Sequence, residues 1–135
     1  MPTFASRTLS IAVDRPPADV YAFVANPENL PRWAAGLGQS LKRSRDGWIV
    51  ETPQGPLAIR FAPANALGVL DHHVTVAPGT EVSIHMRVIP NGTGSELTFT
   101  FFQNPGMSDA KFAEDAALVE RDLKTLKRVL EARPR

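Results

Sequence analysis

The feature that most restricts the fold of this chain is a long run of alternating apolar and polar residues between positions 39 and 103. Alternation with a period of two is typical of strands that bury one face. Because the intervening turns are only a few residues long, neighbouring strands must pair antiparallel, as a meander. Turn-forming residues divide the run into six predicted strands, at residues 39–45, 48–53, 56–63, 67–77, 81–90 and 95–103.

One long helix is predicted after the last strand, with Ser108 as a suitable N-cap. Apolar residues then recur in steps of four and three, which places them on one side of a helix of about six turns. We expect this stripe to pack on the sheet, although the same spacing would also suit a coiled-coil seam. The stripe consists of Phe112, Ala116, Val119, Leu123, Leu126 and Leu130.

The first third of the chain predicts a strand and two short helices. Residues 4–13 alternate as a strand, and Pro16-Pro17 opens a helix over 17–25. Asn26-Pro27 begins a second helix, with Leu30, Trp33 and Leu37 on its apolar side and Gly36 and Gly38 at its end. The order β-α-α-β6-α predicts a single α+β domain over residues 1–135, with a curved antiparallel seven-stranded sheet wrapped around the long C-terminal helix.

Composition excludes several kinds of function. The chain has 135 residues and no cysteine, which rules out disulfides, thiolate metal ligands and cysteine nucleophiles. Its net charge is +1 and its one basic cluster, residues 42–45, is short, which argues against nucleic-acid binding. We see no signal peptide and no apolar run of membrane-spanning length, and therefore expect a cytoplasmic protein without an integral membrane segment. Abundant Ala, and more Arg than Lys, are typical of bacteria with GC-rich genomes.

The stretch LDHHVTV at residues 70–76 carries two adjacent histidines within a predicted strand. Side chains alternate between faces, so His72 should point inward and Asp71 and His73 outward. A three-residue loop at 78–80 sets a register that keeps apolar residues together. That register pairs Val76 with Val82, Val74 with Ile84 and His72 with Met86 inside, and Asp71 with Arg87 and His73 with His85 outside.

The predicted placement separates the possible roles of these histidines. Adjacent residues on opposite faces cannot share a metal ion, and His73, His85 and Asp71 would form only an incomplete, exposed ligand set. We therefore predict a polar outer surface and no metal site. His72 would be an ionisable group among apolar side chains, where burial disfavours its charged form. It remains open whether His72 is a neutral core residue, orients a ligand, or acts as a general acid or base.

The inner face of the sheet and the facing side of the long helix would enclose a space. A four-residue loop at 91–94 would set Met86 opposite Phe99 and Ile84 opposite Phe101. Each lining residue is equally well explained as ordinary core, and Trp33 would either cover a ligand or anchor the short helices. The predicted ligand-binding residues are Trp33, Ile59, Phe61, His72, Val74, Ile84, Met86, Phe99, Phe101, Val119 and Leu123.

Two segments carry a resemblance that covers essentially the whole chain: VDRPPADVYAFVANPENLPRWAAGL and PNGTGSELTFTFFQNPGMSDAKFAEDAALVERDLKTLKRVLE. Together with the order of elements, they resemble the START-like, or Bet v 1-like (SRPBCC), superfamily, and within it the polyketide cyclase/dehydrase and lipid-transport group. The resemblance implies a helix-grip fold with a deep hydrophobic cavity between the sheet and the C-terminal helix. Members bind lipids, sterols, polyketides or hormones, and a minority are enzymes.

The sequence lacks a nucleophile–base pair, a phosphate-binding loop and a complete metal ligand set, so we predict no cofactor. The leading hypothesis is a carrier or sensor for a small hydrophobic molecule such as a lipid or polyketide, acting as a monomer or homodimer. The alternative is a cyclase/dehydrase-type enzyme that uses the same cavity, with His72 as a weak candidate for proton transfer. A protein-interaction module is less favoured, because outward residues on the last two strands form no apolar patch. These residues are Ser83, His85, Arg87, Thr98 and Thr100.

Overall fold

The computed structural model describes residues 2–34, 40–45, 47–52 and 55–134, and the statements below refer to this part of the chain. The strands are β1 (Ser6–Val13), β2 (Ser40–Ser44), β3 (Gly47–Thr52), β4 (Gly55–Phe61), β5 (His72–Ala77), β6 (Thr80–Asn91) and β7 (Gly94–Phe102). The helices are α1 (Pro17–Val24), α2 (Leu30–Trp33), which follows a 3-10 turn at Pro27–Asn29, and α3 (Asp109–Ala132). All neighbouring strands are antiparallel, in the order β1-β7-β6-β5-β4-β3-β2. The predicted α+β helix-grip architecture is confirmed.

Helix α3 begins and packs as its sequence predicts. The Ser108 side chain accepts a hydrogen bond from the backbone N–H of Lys111 at 3.1 Å, which caps the first turn. The helix packs against β1 and α2, so its apolar stripe faces the interior of this chain. Its buried residues are Phe112, Ala116, Leu123, Leu126 and Leu130. No helix in the described residues is long and apolar enough to cross a lipid bilayer.

The hairpin between β6 and β7 has the predicted register, with Met86 opposite Phe99. Its loop is shorter than predicted, because Asn91 and Gly94 pair with each other and leave only two residues between them. The ladder starts at the pair His85–Thr100. The predicted neighbours Ile84 and Phe101 therefore lie just beyond the paired residues.

The prediction of a strand over residues 67–77 is wrong in its first half, because β5 begins only at His72. The Asn65 side chain accepts hydrogen bonds from the backbone N–H groups of Leu67 and Val69, each at 3.0 Å. Gly68 lies in the left-handed region at φ +76°. These local bonds compete with the ladder and hold the segment as a loop, leaving one isolated bridge between Val69 and Arg87.

The predicted register between β5 and β6 is also wrong, by two residues. His72 lies opposite Ile84 rather than Met86, and His73 lies opposite Ser83 rather than His85. The register shifts between Thr75 and Ala77, so that Val76 is an extra residue, a β-bulge. A bulge reverses the alternation, which explains why Val76 is 47% exposed instead of paired with Val82 in the core.

The bounds of the remaining elements differ from the predictions by a few residues. The first strand starts at Ser6 and the first helix ends at Val24. The second helix is shorter than predicted and ends at Trp33. The predictions for Gly36, Leu37 and Gly38 lie outside the described residues, as do those for Asp46 and Gln54 in the turns.

Candidate functional site

His72 lies on the inner face of the sheet, as predicted, between apolar neighbours on the adjacent strands. Phe61 on β4 and Ile84 on β6 are its partners in the ladder. The His72 side chain is buried, with 3% exposure, whereas Phe61 and Ile84 are only half-buried. The next row of the inner face pairs Ile59 with Val74, both of which are buried.

A series of aromatic rings runs from β4 through His72 to the start of α3. The His72 ring stacks on Phe61, with centroids 4.9 Å apart, and meets the Phe99 ring edge-on at 6.4 Å. Phe99 contacts Phe101 at 5.9 Å, and Phe101 contacts Phe112 at 5.4 Å. Phe112 was not among the predicted site residues. The sequence places Phe112 at the start of the apolar stripe of α3, but that position alone does not predict its contact with Phe101 on β7.

The hydrogen bonding of His72 fixes which of its nitrogens carries the proton. Nδ1 lies 3.1 Å from the backbone oxygen of Leu70, which can only accept, so the neutral ring is protonated at Nδ1. Nε2 therefore carries a lone pair and can accept a hydrogen bond. Burial lowers the pKa of His72 below its usual 6.5, although the bond to Leu70 and the charge of Asp71 act in the opposite direction.

The other predicted site residues belong to the same apolar cluster. Met86, Phe99, Phe101 and Leu123 are buried, whereas Val119 on α3 is only half-buried. Trp33 ends α2, which packs on α3, and it is 4% exposed. Among the residues that the structure describes, its buried Nε1–H has no hydrogen-bond partner. The two predicted roles of Trp33, anchor and ligand cover, both remain compatible with this position.

The outward histidines do not form a metal site with Asp71. Nδ1 of His73 bonds to the Ser83 hydroxyl at 2.9 Å, whereas Nδ1 of His85 bonds to the Asp71 carboxylate at 3.1 Å. Among the described residues, no three or more His, Cys, Asp or Glu side chains are grouped as metal ligands. Because the two rings have separate partners, the part of the outer surface around them consists of local polar contacts.

Asp71 has a structural role that the sequence did not reveal. Its carboxylate accepts a hydrogen bond from the backbone N–H of Met86 at 2.9 Å and pairs with Arg87 and His85. The predicted contact with Arg87 is thus confirmed, although the two residues are not opposite each other. Partial burial acts to raise the pKa of Asp71, but the Met86, His85 and Arg87 interactions outweigh it and lower the pKa below 3.8.

A separate groove of about 370 Å³ lies between α1 and the end of α3. It is lined by Arg15, Asp19, Ala22, Phe23, Asn26, Asn29, Leu130, Arg133 and Pro134. Arg15 donates hydrogen bonds to the backbone oxygens of Glu131 and Arg133. These bonds satisfy carbonyls that a helix C-terminus leaves without partners, which gives Arg15 a structural role.

Comparison with known proteins supports both the fold and the family. The family model described as "Polyketide cyclase / dehydrase and lipid transport" matches residues 5–131. A search of curated proteins finds no significant match.

Solved structures share the fold at low sequence identity, and the three comparisons that follow cover nearly all of both chains. XoxI from Bacillus cereus superposes with a TM-score of 0.76 at 17% identity, over 95% of this chain and 96% of the other. The crystal structure of Ara h 8.0201 has a TM-score of 0.70 at 14% identity, over 97% and 100%. The Aha1 dimer from Colwellia psychrerythraea has a TM-score of 0.75 at 13% identity, over 95% and 97%. With the family match, these similarities show that the chain belongs to the polyketide cyclase/dehydrase and lipid-transport family of the START-like, or Bet v 1-like, superfamily.

Proposed function

We propose that this protein binds a small, largely apolar molecule between the sheet and α3, and that the ligand donates a hydrogen bond to Nε2 of His72. The observation that carries the proposal is the buried histidine itself. Its Nδ1–H is used by the Leu70 carbonyl, so Nε2 offers an acceptor among apolar side chains. A hydrogen bond to this acceptor would fix the orientation of a ligand hydroxyl among the apolar side chains.

The surroundings of His72 support an apolar and preferably aromatic ligand. Phe61 and Phe99 flank its ring, and aromatic side chains favour offset or edge-on contacts with other rings. Phe61 and Ile84 keep part of their surface exposed although they lie on the inner face. This residual exposure next to His72 is where a ligand would gain most by covering apolar surface.

Binding is favoured over proton transfer by the chemistry of His72. A general base works best when its pKa lies near the working pH. Burial lowers the pKa of His72, which makes the ring a weaker base but keeps Nε2 unprotonated as an acceptor. A carrier or sensor for a hydrophobic molecule, such as a lipid or polyketide bearing a hydroxyl group, therefore fits this side chain better than a cyclase.

The proposal is tested with two probes of nearly equal size, of which only the first has a hydrogen-bond donor: 2-naphthol and 2-fluoronaphthalene. Their affinities are measured by isothermal titration calorimetry on the wild type and on His72→Phe. One additional hydrogen bond contributes about 1 kcal/mol, so 2-naphthol should bind the wild type about fivefold more tightly. In His72→Phe this preference should disappear, while 2-fluoronaphthalene keeps its affinity.

The matched control is His85→Phe, since His85 lies on the outer face with its side chain 45% exposed. That variant should bind both probes like the wild type. Equal affinity of the wild type for both compounds would refute the role of Nε2. The binding function itself would be refuted if the wild type bound neither compound and if native mass spectrometry found no adduct after incubation with native lipid extracts.

A further inference from the structure

The outer face of the sheet carries an exposed apolar surface on β3, β4 and β5, which we call the outer apolar patch. A groove of about 360 Å³ runs along it, and Ile49, Ala58 and Thr75 also line a second groove beside it. The patch consists of Ile49, Pro56, Ala58, Val76, Ala77 and Pro78. Contiguous apolar surface of this kind marks contact sites on proteins.

The bulge in β5 increases this exposure. Val76 is the extra residue of the bulge, and its side chain is 47% exposed beside Ala58 and Thr75 in the groove. A regular strand would have turned Val76 inward, as the alternation of the sequence predicts. Bulges commonly redirect one side chain, and here the redirected side chain is apolar and faces solvent.

The other half of the outer face is polar where β1 pairs with β7. Thr8 and Ser10 on β1 face outward beside Thr100 and Thr98 on β7. The hydroxyls of Thr8 and Thr100 are hydrogen-bonded at 2.8 Å. Ile89 and Phe102 are exposed apolar residues on that half, so the outer apolar patch is distinguished by its groove and by the charges at its two ends rather than by apolar character alone.

One row of residues crosses the patch from strand to strand and has opposite charges at its two ends. The ladder pairs connect Lys42, Ile49, Ala58, Thr75 and Glu81, in that order, from β2 to β6. Ala58 is the centre of this row, and Lys42 and Glu81 each lie two strands away from it. With strands about 4.8 Å apart, each charge is about 10 Å from the centre.

We propose that the outer apolar patch is the interface of a homodimer, in which two copies meet face to face around a two-fold axis parallel to β4 at Ala58. Such an axis exchanges the two ends of the row, so Lys42 of each copy faces Glu81 of the other. A two-fold interface requires a surface that is complementary to itself, and this row provides it. Electrostatic complementarity of this kind fixes the register of an interface.

The same symmetry brings the apolar side chains together. Thr75, with Val76 beside it, would face Ile49 of the second copy, and Ala58 would meet Ala58. The two Arg60 side chains would also approach each other near the axis. Each is already paired with its own Glu81, at 3.3 Å, and this carboxylate has acceptor capacity for Lys42 as well.

Charge exchange tests this geometry by sedimentation velocity over a wide range of protein concentration. The wild type should form a dimer. Lys42→Glu and Glu81→Lys should each weaken the dimer by about tenfold or more, because each creates like-charged contacts across the interface. The double variant Lys42→Glu/Glu81→Lys should regain part of the lost affinity, since it restores opposite charges in exchanged positions but leaves Arg60 without its Glu81 partner.

Two further variants distinguish the patch from the rest of the sheet. Ala58→Lys places two like charges at the axis and should abolish the dimer. Ser10→Lys adds the same charge on the polar half of the outer face and should leave the dimer intact. Thermal unfolding of each variant shows whether the monomer still folds. A wild type that stays monomeric at millimolar concentration would overturn the proposal, as would a double variant no better than the single ones.

Discussion

At the scale of single residues, His72 links folding to pH. Its pKa in the folded chain is lowered by burial, whereas in the unfolded chain it should be near 6.5. Below about pH 6.5 the unfolded state therefore binds a proton that the folded state binds less well, and stability falls as the pH decreases. Above that pH both states are neutral, and the contribution no longer changes.

The prediction is that His72→Phe removes part of the acid sensitivity of the fold. One proton can contribute at most about 1.4 kcal/mol per pH unit, so urea unfolding at pH 7.5 and pH 5.5 resolves the difference. The wild type should lose more stability between these two pH values than His72→Phe. Identical losses would mean that His72 is protonated equally well in both states.

Asp71 titrates in a separate and more acidic range. Its folded pKa is lowered below 3.8, so its stabilising effect is present above about pH 4 and is lost as the pH falls through the folded pKa. At neutral pH we expect Asp71→Ala to lower the free energy of unfolding by about 1–3 kcal/mol, because the Met86 N–H and Arg87 lose their partner. Asp71→Asn should cost less, since its amide oxygen can still accept from Met86. Urea unfolding at pH 7 compares the two variants, and equal costs would show that the backbone bond contributes little.

At the scale of elements, the loop before β5 depends on Gly68. A Cβ at this position would lie 2.1 Å from the backbone oxygen of Val88, and the residue has φ +76°. Gly79 has almost the same backbone conformation, φ +75°, but a Cβ there would meet nothing within 4 Å. Substitutions at the two glycines therefore separate the cost of a steric clash with β6 from the cost of a left-handed backbone conformation.

We predict that Gly79→Ala lowers the free energy of unfolding by about 1–2 kcal/mol, the usual cost of placing an L-residue in the left-handed region. Gly68→Ala should cost clearly more, because the loop must also move away from β6. Urea unfolding of both variants measures the difference. Equal effects would show that the loop shifts freely, and that the Asn65 hydrogen bonds do not hold it in place.

Elements whose pattern is uninterrupted were predicted well from the sequence. Apolar spacing identified α3, and alternation identified β6, β7 and the pair Met86–Phe99. The prediction failed at β5, where Asn65 organises a loop and Val76 forms a bulge. Both features arise from local hydrogen bonds and from the neighbouring strand, and neither changes the alternation of residue types. The prediction that His72 points inward is nevertheless correct. An error of two residues in the register leaves every side chain before the bulge on its predicted face.

At the scale of the whole molecule, one side of α3 serves two different parts of the interior. Leu126 is fully buried where α3 packs near β1 and α2, whereas Val119, about two turns earlier, remains half-buried. Removing volume from a filled core lowers the free energy of unfolding. Truncating a side chain that mainly covers a ligand should lower it little. The α3 helix is thus expected to combine a stability segment with a binding segment.

This division predicts that one truncation on the helix acts mainly on stability and another acts mainly on ligand binding. Leu126→Ala should lower the free energy of unfolding by about 2–5 kcal/mol, as expected for a large-to-small change in a closed core. Val119→Ala should cost less than about 1.5 kcal/mol, because its side chain is already partly exposed, yet it should weaken binding of 2-naphthol. Urea unfolding and calorimetric titration of the two variants measure these effects separately. If Val119→Ala were as destabilising as Leu126→Ala and left ligand affinity unchanged, the interior near Val119 would be part of the closed core and not a binding surface.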